Sequence, residues 1–144
     1  MHFTYPATIK DDGEGNFLVT FRDIPFAATE GSTMDEALTE AQDCLETAIA
    51  SCVKDKENIP IPSKFEKGDY PIRLPAQTAA KTALYIAIRK SGLSNSELAR
   101  RLGSDEKEIR RMIDPWHPTK LPRIETALAT LGYGLSVTML EPAA

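Results

Sequence analysis

The chain begins with short segments in which apolar and polar residues alternate, and continues with longer segments in which apolar residues recur every three or four positions. Residues 3–10 and 17–21 are rich in β-forming residues and flank a polar stretch with two glycines, a pattern typical of a β-hairpin. In the second strand, Leu18 and Arg22 lie on one face, and we expect that face to meet solvent or a partner. A third short strand is expected around residues 27–29.

A long amphipathic helix is expected next. Thr33 and Glu36 fit a capping box, in which the threonine hydroxyl accepts a hydrogen bond from the backbone N–H of the glutamate. Apolar residues then recur in steps of three and four up to Val53, which predicts a buried stripe about five turns long. Two prolines near residue 60 disfavour helix, and residues 70–74 are predicted to form a fourth strand. This half therefore predicts a β-β-β-α-β unit.

The second half is predicted to be mostly helical. Residues 79–91 form the first expected helix, which stops at Gly92. The next helix begins with a capping box at Ser94, and another opens with Ser104 as its N-cap. Together with the first half, these helices give an α+β chain, with expected domains at residues 1–75 and 76–144.

Three residues in this half have the spacing of a DNA-binding helix-turn-helix. Ala99 is small enough for close helix packing, Gly103 permits a left-handed turn, and Ile109 is placed to fill the gap between the helices. Basic residues on the second of these helices would follow a phosphate track, and its first turn would lie nearest the base edges. Two acidic residues at its start are either local stabilisers or cytosine acceptors. The expected DNA-contacting residues are Ser94, Asn95, Ser104, Asp105, Glu106, Lys107, Arg110 and Arg111.

The end of the chain suggests self-association. Pro122 is suited to the first turn of a further helix, and apolar and polar residues alternate over residues 135–140, which predicts a terminal strand. A lone strand on a helical domain lacks a partner within that domain. We therefore expect it to pair with its twin in a homodimer, with further pairing into a tetramer left open.

Charge divides the chain in the same place. The 144 residues carry a net charge of −4, which splits into −7 for residues 1–75 and +3 for the remainder. A basic partner for the first half and a polyanion for the second would explain this asymmetry. The other explanation is that the charges only solvate exposed faces.

Composition narrows the functional classes. The proportions of 42% apolar and 26% charged residues are those of a globular protein. No apolar run is long enough to cross a membrane, and no targeting segment is evident, so a cytoplasmic location is expected. Cys44 and Cys52 are eight residues apart on one predicted helix, roughly 12 Å, which is beyond disulfide reach. His2 and His117 are far apart in sequence, so we expect no metal site and no cofactor.

An acidic cluster raises an enzymatic alternative. Asp11, Asp12, Glu14 and Asp23 could be the metal-binding carboxylates of a ribonuclease-H-like nuclease. However, three of them lie in or beside a predicted turn, where such residues are common. No histidine lies near these carboxylates in sequence to serve as acid or base, so no catalytic residue is assigned.

Two sets of motifs resemble the HicB antitoxin family of bacterial type II toxin-antitoxin systems. The N-terminal set is GNFLVTFRDIP at residues 15–25, TEGST at 29–33 and EA at 36–37. The C-terminal set is ELARRLG at 97–103, EI at 108–109 with Arg111, TK at 119–120 and ATLG at 129–132. The resemblance covers essentially the whole chain. It departs from the common family pattern at Phe26 and Ala27, where the proline is often followed by glycine.

This resemblance implies a non-enzymatic protein. Its first domain would have a partial ribonuclease-H-like fold that masks HicA, a small basic ribonuclease that cleaves mRNA. Its second domain would bind double-stranded operator DNA as a dimer and repress its own operon. The residues expected to contact the toxin are Asp11, Asp12, Glu14, Arg22 and Asp23. An alternative is a one-component helix-turn-helix regulator whose first domain senses a small molecule.

Overall fold

The computed structural model describes residues 1–142 and confirms the α+β class. The elements in chain order are β1 (Thr4–Asp11), β2 (Phe17–Phe21), β3 (Ala28–Gly31), α1 (Met34–Lys54), β4 (Tyr70–Arg73), α2 (Ala76–Ser91), α3 (Asn95–Arg101), α4 (Glu106–Ile113) and α5 (Leu121–Thr130). The expected β-β-β-α-β order is therefore present, and helices follow it.

The four strands form one antiparallel sheet with the order β3-β2-β1-β4. Alternate residues of β1 and β2 point to the same side, where Tyr5, Ala7, Val19 and Phe21 are buried in a core shared with α1. The opposite side of β2 carries exposed residues, including Leu18. The expectation that this face of β2 meets solvent is confirmed.

The edge strand β3 lies very close to the start of α1, and a glycine makes this approach possible. A Cβ atom added to Gly31 would stand 2.4 Å from the backbone nitrogen of Ala37, well inside van der Waals contact. The N-cap of the helix is two residues later, at Thr33, whose hydroxyl accepts a hydrogen bond from the Glu36 N–H at 3.1 Å. In a complete capping box the Glu36 side chain would also bind the Thr33 N–H. Here its carboxylate accepts from the Ser32 hydroxyl, so only half of the predicted capping box is formed.

The helices of the second half enclose a separate apolar cluster. Ala99 and Ile109 are buried in this cluster, and Gly103 takes a left-handed φ of 66° in the turn between α3 and α4. The expectation of Ser104 as the N-cap of α4 was wrong, because Asp105 caps that helix with its carboxylate. The aspartate carboxylate reaches the Glu108 N–H at 2.8 Å, so the helix starts one residue later than expected.

Helix α2 belongs to both apolar clusters. Its Tyr85 is buried with the sheet and α1, whereas Leu84 is buried with α3, α4 and α5. The Tyr85 hydroxyl donates to the carbonyl of Glu57 at 2.7 Å, just beyond the end of α1. The boundary at residue 75 stays a prediction, and α2 makes contacts across it through Tyr85.

The expected terminal strand over residues 135–140 is not formed within the described part of the chain. Beyond Gly132, the described residues take no helical or strand structure, and Val137 and Met139 are about four-fifths exposed at 82% and 81%. A strand needs a hydrogen-bonded neighbour, and the only sheet among residues 1–142 lies in the first half of the chain. Pairing with a second chain stays a prediction. No helix in the described range is long and apolar enough to cross a membrane.

Candidate functional site

Helix α4 presents an exposed face that carries cations. Lys107 and Arg110 are exposed, and within residues 1–142 neither takes part in an ion pair. Arg111 forms only a long ion pair, since its guanidinium lies 3.9 Å from the Glu108 carboxylate, and Glu108 also lies 3.5 Å from Arg123. The face therefore has positive charge that the fold does not neutralise, and it could attract phosphate.

The two acidic residues at the start of α4 differ in what they contact. The Asp105 carboxylate caps the helix, which makes it a local stabiliser. Glu106 is exposed and accepts a weaker hydrogen bond from the Ser96 hydroxyl at 3.3 Å. Ser104 is bound through its backbone, because its N–H donates to the carbonyl of Ala99 at 2.8 Å. Of these three predicted DNA-contacting residues, Asp105 is the one whose side chain is committed to capping the helix.

The start of α3 lies beside the same face. The Ser94 hydroxyl caps α3 by accepting from the Glu97 N–H at 3.1 Å, as the capping box predicts. Asn95 is half-buried and lines a cleft of about 910 Å³ between the end of α1, α2, the α2–α3 turn and α4. Glu106 and Arg110 line this interhelical cleft as well. Four of the eight predicted DNA-contacting residues, Ser94 included, therefore share one concave surface.

Sequence reasoning missed Lys81, which fixes the end of α4. This lysine is fully buried, and its Nζ donates to the carbonyl of Arg111 at 2.9 Å and to the Thr119 hydroxyl at 2.6 Å. Burial lowers the pKa of Lys81 from 10.5 to about 8, while Asp114 and Glu108 oppose the shift. The available signal was its position three residues before Leu84, on the apolar stripe of α2.

The acidic hairpin of the first half is an ordered turn. The Asp11 carboxylate accepts from the Gly13 N–H at 2.8 Å, and the Asp12 carboxylate accepts from the N–H groups of Glu14 and Asn16 at 2.8 and 3.1 Å. The bond from the Glu14 N–H is the main reason that the pKa of Asp12 is lowered. Within the described residues, the Glu14 side chain forms no hydrogen bond or ion pair, so its charge is free for a partner.

Arg22 and Asp23, also predicted to contact a toxin, instead hold the long segment between α1 and β4. The Arg22 guanidinium makes two hydrogen bonds to Asp69, at 2.9 and 2.6 Å, and further bonds to Ser63 and the Lys64 carbonyl. The Asp23 carboxylate accepts from both the N–H and the hydroxyl of Ser63 at 3.0 Å. These side chains are committed to internal bonds, which their residue types did not indicate.

Three of the four carboxylates that the nuclease alternative would use are bound within the fold at two different places. Asp11 and Asp12 bind backbone N–H groups of the hairpin, whereas Asp23 binds Ser63. Residues 1–142 hold no group of three or more histidine, cysteine, aspartate or glutamate side chains placed to bind a metal ion. Both cysteines of α1 are free thiols, and burial raises the pKa of each.

Comparison with known proteins gives a consistent result over nearly the whole chain. A family described as HicB-like antitoxin of bacterial toxin-antitoxin systems matches residues 4–83. Antitoxin HicB of Escherichia coli K12 is 39% identical over 136 residues, which cover 94% of this chain and 99% of the relative. Antitoxin HicB 2 of Photorhabdus laumondii is 40% identical, with coverage of 94% and 96%. Antitoxin HicB of Pseudomonas fluorescens is 37% identical, with coverage of 90% and 89%. The chain therefore belongs to the HicB antitoxin family.

Proposed function

We propose that the first half of the chain neutralises a HicA-type ribonuclease by covering its RNA-binding surface and active site. The observation that carries this proposal is the ordered acidic hairpin, in which the Glu14 side chain has no internal partner among the described residues. A small basic toxin would be steered toward this half, which carries a net charge of −7. Inhibition then follows complex formation, and the chain performs no catalysis.

The proposed contact surface has two parts. Asp11, Asp12 and Glu14 present charge at the hairpin, and the exposed side of β2 adds apolar contact through Leu18. Arg22 and Asp23 support this surface by fixing the segment around Ser63 and Lys64, and they can meet the toxin only with the faces that those bonds leave exposed. We therefore assign the strongest toxin contacts to the hairpin.

A charge reversal tests this assignment. Glu14→Lys is expected to weaken binding of the cognate ribonuclease and to restore mRNA cleavage in a mixture of the two proteins, because the lysine would repel a basic toxin. Glu125→Lys, on the exposed surface of α5, makes the same change in net charge and should leave neutralisation intact. Equal binding by both variants and the wild type would contradict the proposed hairpin contact.

The second half is proposed to bind double-stranded operator DNA and so to repress the operon. Lys107 and Arg110 support this proposal because they are exposed on α4 without ion-pair partners in the described chain. Fluorescence anisotropy with a duplex from the DNA upstream of the coding sequence tests it. Affinity should fall steeply with salt, since cations on the protein displace counterions from phosphates. Salt-independent or absent binding would contradict the proposal.

Repression by this mechanism uses a homodimer, and the exposed end of the chain supports one. The segment that carries Val137, Met139 and Leu140 is apolar and exposed, and Leu135 before it is packed on the second cluster. Pairing with a second copy would cover these residues, and a dimer that binds successive major grooves needs its two α4 helices about 34 Å apart, one turn of DNA. A monomer by light scattering at micromolar concentration would contradict this pairing.

A further inference from the structure

The interhelical cleft joins the two halves of the chain at a surface of positive charge. Lys54 and Lys56 reach it from the end of α1, Arg89 from α2 and Arg110 from α4. Only two carboxylates, Glu106 and Asp114, are among the lining residues. This excess of cations occurs on a chain whose overall net charge is −4 and in which the first half is the acidic one.

These cations are not used for ion pairs in the fold. The ion pairs within residues 1–142 are made by Arg22, Arg111 and Arg123, and none involves a cation of the cleft. The partners of Arg89 are all neutral: the Asn58 side chain at 3.0 Å, the Lys56 carbonyl at 2.8 Å, and the hydroxyl and ring of Tyr85. The positive charge of this surface is therefore available to an external anion.

Lys56 is held in place on this surface. Its N–H donates to the carbonyl of Val53 at 3.2 Å, and its own carbonyl accepts from Arg89. The backbone has a left-handed φ of 57°, a conformation that glycine or asparagine adopts more easily than lysine. The attraction of a lysine to the carbonyl end of α1 accounts for Lys54, which lies in the last turn, but not for the cations beyond it.

We propose that the end of α1, from the toxin-binding half, makes phosphate contacts to the same DNA duplex that α4 contacts. The proposal rests on the DNA-binding function proposed above. Its geometric basis is that Lys54 and Lys56 line one cleft with Asn95 and Arg110, which are predicted DNA-contacting residues. A phosphate strand that passes α4 would meet these lysines, and duplex DNA is the polyanion that this continuity favours.

The arrangement has a functional consequence. Tyr85 and Arg89 fix the segment after α1 to α2, and α2 packs against α4. The lysines are therefore positioned relative to the DNA-contacting helix before DNA arrives. Contacts to phosphate carry no sequence information, so they raise affinity for every duplex alike.

Two double variants of the full chain test the proposal. Lys54→Gln/Lys56→Gln removes the two cleft lysines, and Lys64→Gln/Lys67→Gln removes two exposed lysines of the same half that do not line the cleft. Affinity for the upstream duplex and for an unrelated duplex is measured by anisotropy from low to high salt. Thermal melts establish that both variants remain folded.

The expected result is a smaller salt dependence for the cleft variant alone. Each lost phosphate contact lowers the slope of log affinity against log salt by roughly 1, so the double variant should lose roughly 2. The ratio of upstream to unrelated affinity should not change. The variant at Lys64 and Lys67 should retain the wild-type slope.

Other results would overturn the proposal in distinguishable ways. If the wild type binds DNA with a steep salt dependence and the cleft variant matches it, this inference fails while the proposed DNA binding stands. Equal losses in both variants would show a general charge effect. If the cleft variant loses ribonuclease neutralisation while its salt dependence of DNA binding is unchanged, the cleft binds the toxin and not DNA. No salt-sensitive binding by the wild type would overturn both proposals.

Discussion

Two sets of charged side chains, one beside the sheet and one on α4, are used in opposite ways. Around the sheet, Arg22 and Asp23 are bound to Asp69 and Ser63 and hold a long segment in place. On α4, Lys107 and Arg110 are exposed with no ion pair in the described range. The comparison teaches that a charged side chain near a proposed interface is available for binding only where it is not already bonded within the fold.

The largest expected effect is on stability, and it separates the buried Lys81 from the exposed Lys107. Lys81→Ala should lower the free energy of unfolding by about 2–5 kcal/mol, because it empties a buried position and leaves the Arg111 carbonyl and Thr119 without a donor. Lys81→Met should lose less, since it fills most of the space. Lys107→Ala should change stability by no more than about 0.5 kcal/mol. Chemical denaturation measures all three, and equal stabilities would remove the distinction.

A variant at Arg110 tests whether the exposed charge of α4 contributes to DNA binding. Arg110→Ala should weaken affinity for the upstream duplex by about 1–3 kcal/mol if the guanidinium contacts a base. An unrelated duplex is the control, because an equal loss there would assign Arg110 to a phosphate. An unchanged affinity for both duplexes would show that the uncompensated charge of α4 does not meet DNA.

The buried lysine should also make stability depend on pH. The pKa of Lys81 is about 8 in the folded chain and 10.5 as its ordinary value, so between these values the unfolded chain binds more protons. Stability should therefore rise with pH across this window, by about 1 kcal/mol per pH unit at most. Lys81→Met should lack this contribution. Parallel pH profiles for the wild type and the variant would contradict it.

The smallest effect is expected from the Arg22–Asp69 pair, in which the Arg22 side chain stays about one-third exposed. The Arg22 guanidinium lowers the pKa of the Asp69 carboxyl, so the pair stabilises the fold above the ordinary value of 3.8 and loses this contribution as pH falls through the lowered pKa. A double-mutant cycle with Arg22→Ala and Asp69→Ala should show a favourable coupling in stability at pH 7. If Arg22→Ala instead weakens toxin binding with stability unchanged, Arg22 is a direct contact.

The sequence predicted the order of the elements because local signals agreed with it. The hairpin glycines, the Thr33 cap and the apolar stripe of α1 are each decided by neighbouring residues. The end of α4 could not be predicted in this way, since Lys81 contacts residues about 30 and 38 positions away. Residues 135–140 form no strand in the single chain, because their alternating pattern supplies no pairing partner, and pairing with a second copy stays a prediction.

For the candidate site, the sequence predicted which types of residue are present better than it predicted what each residue does. The exposed cations of α4 followed from helical periodicity and a turn glycine. The roles of Arg22 and Asp23 depended on Ser63 and Asp69, which are at least 40 residues away in sequence. Only the folded backbone brings such groups together, so composition could suggest their charge but not their use.

Helix α2 limits how the chain can be divided. Tyr85 completes the core around the sheet, while Leu84 beside it belongs to the core of the helices. A chimera that replaces everything after residue 75 would remove Tyr85 and expose the apolar surface it covers. An engineered exchange of the second half should therefore retain α2 and place the junction near Gly92, whose left-handed φ of 72° ends that helix.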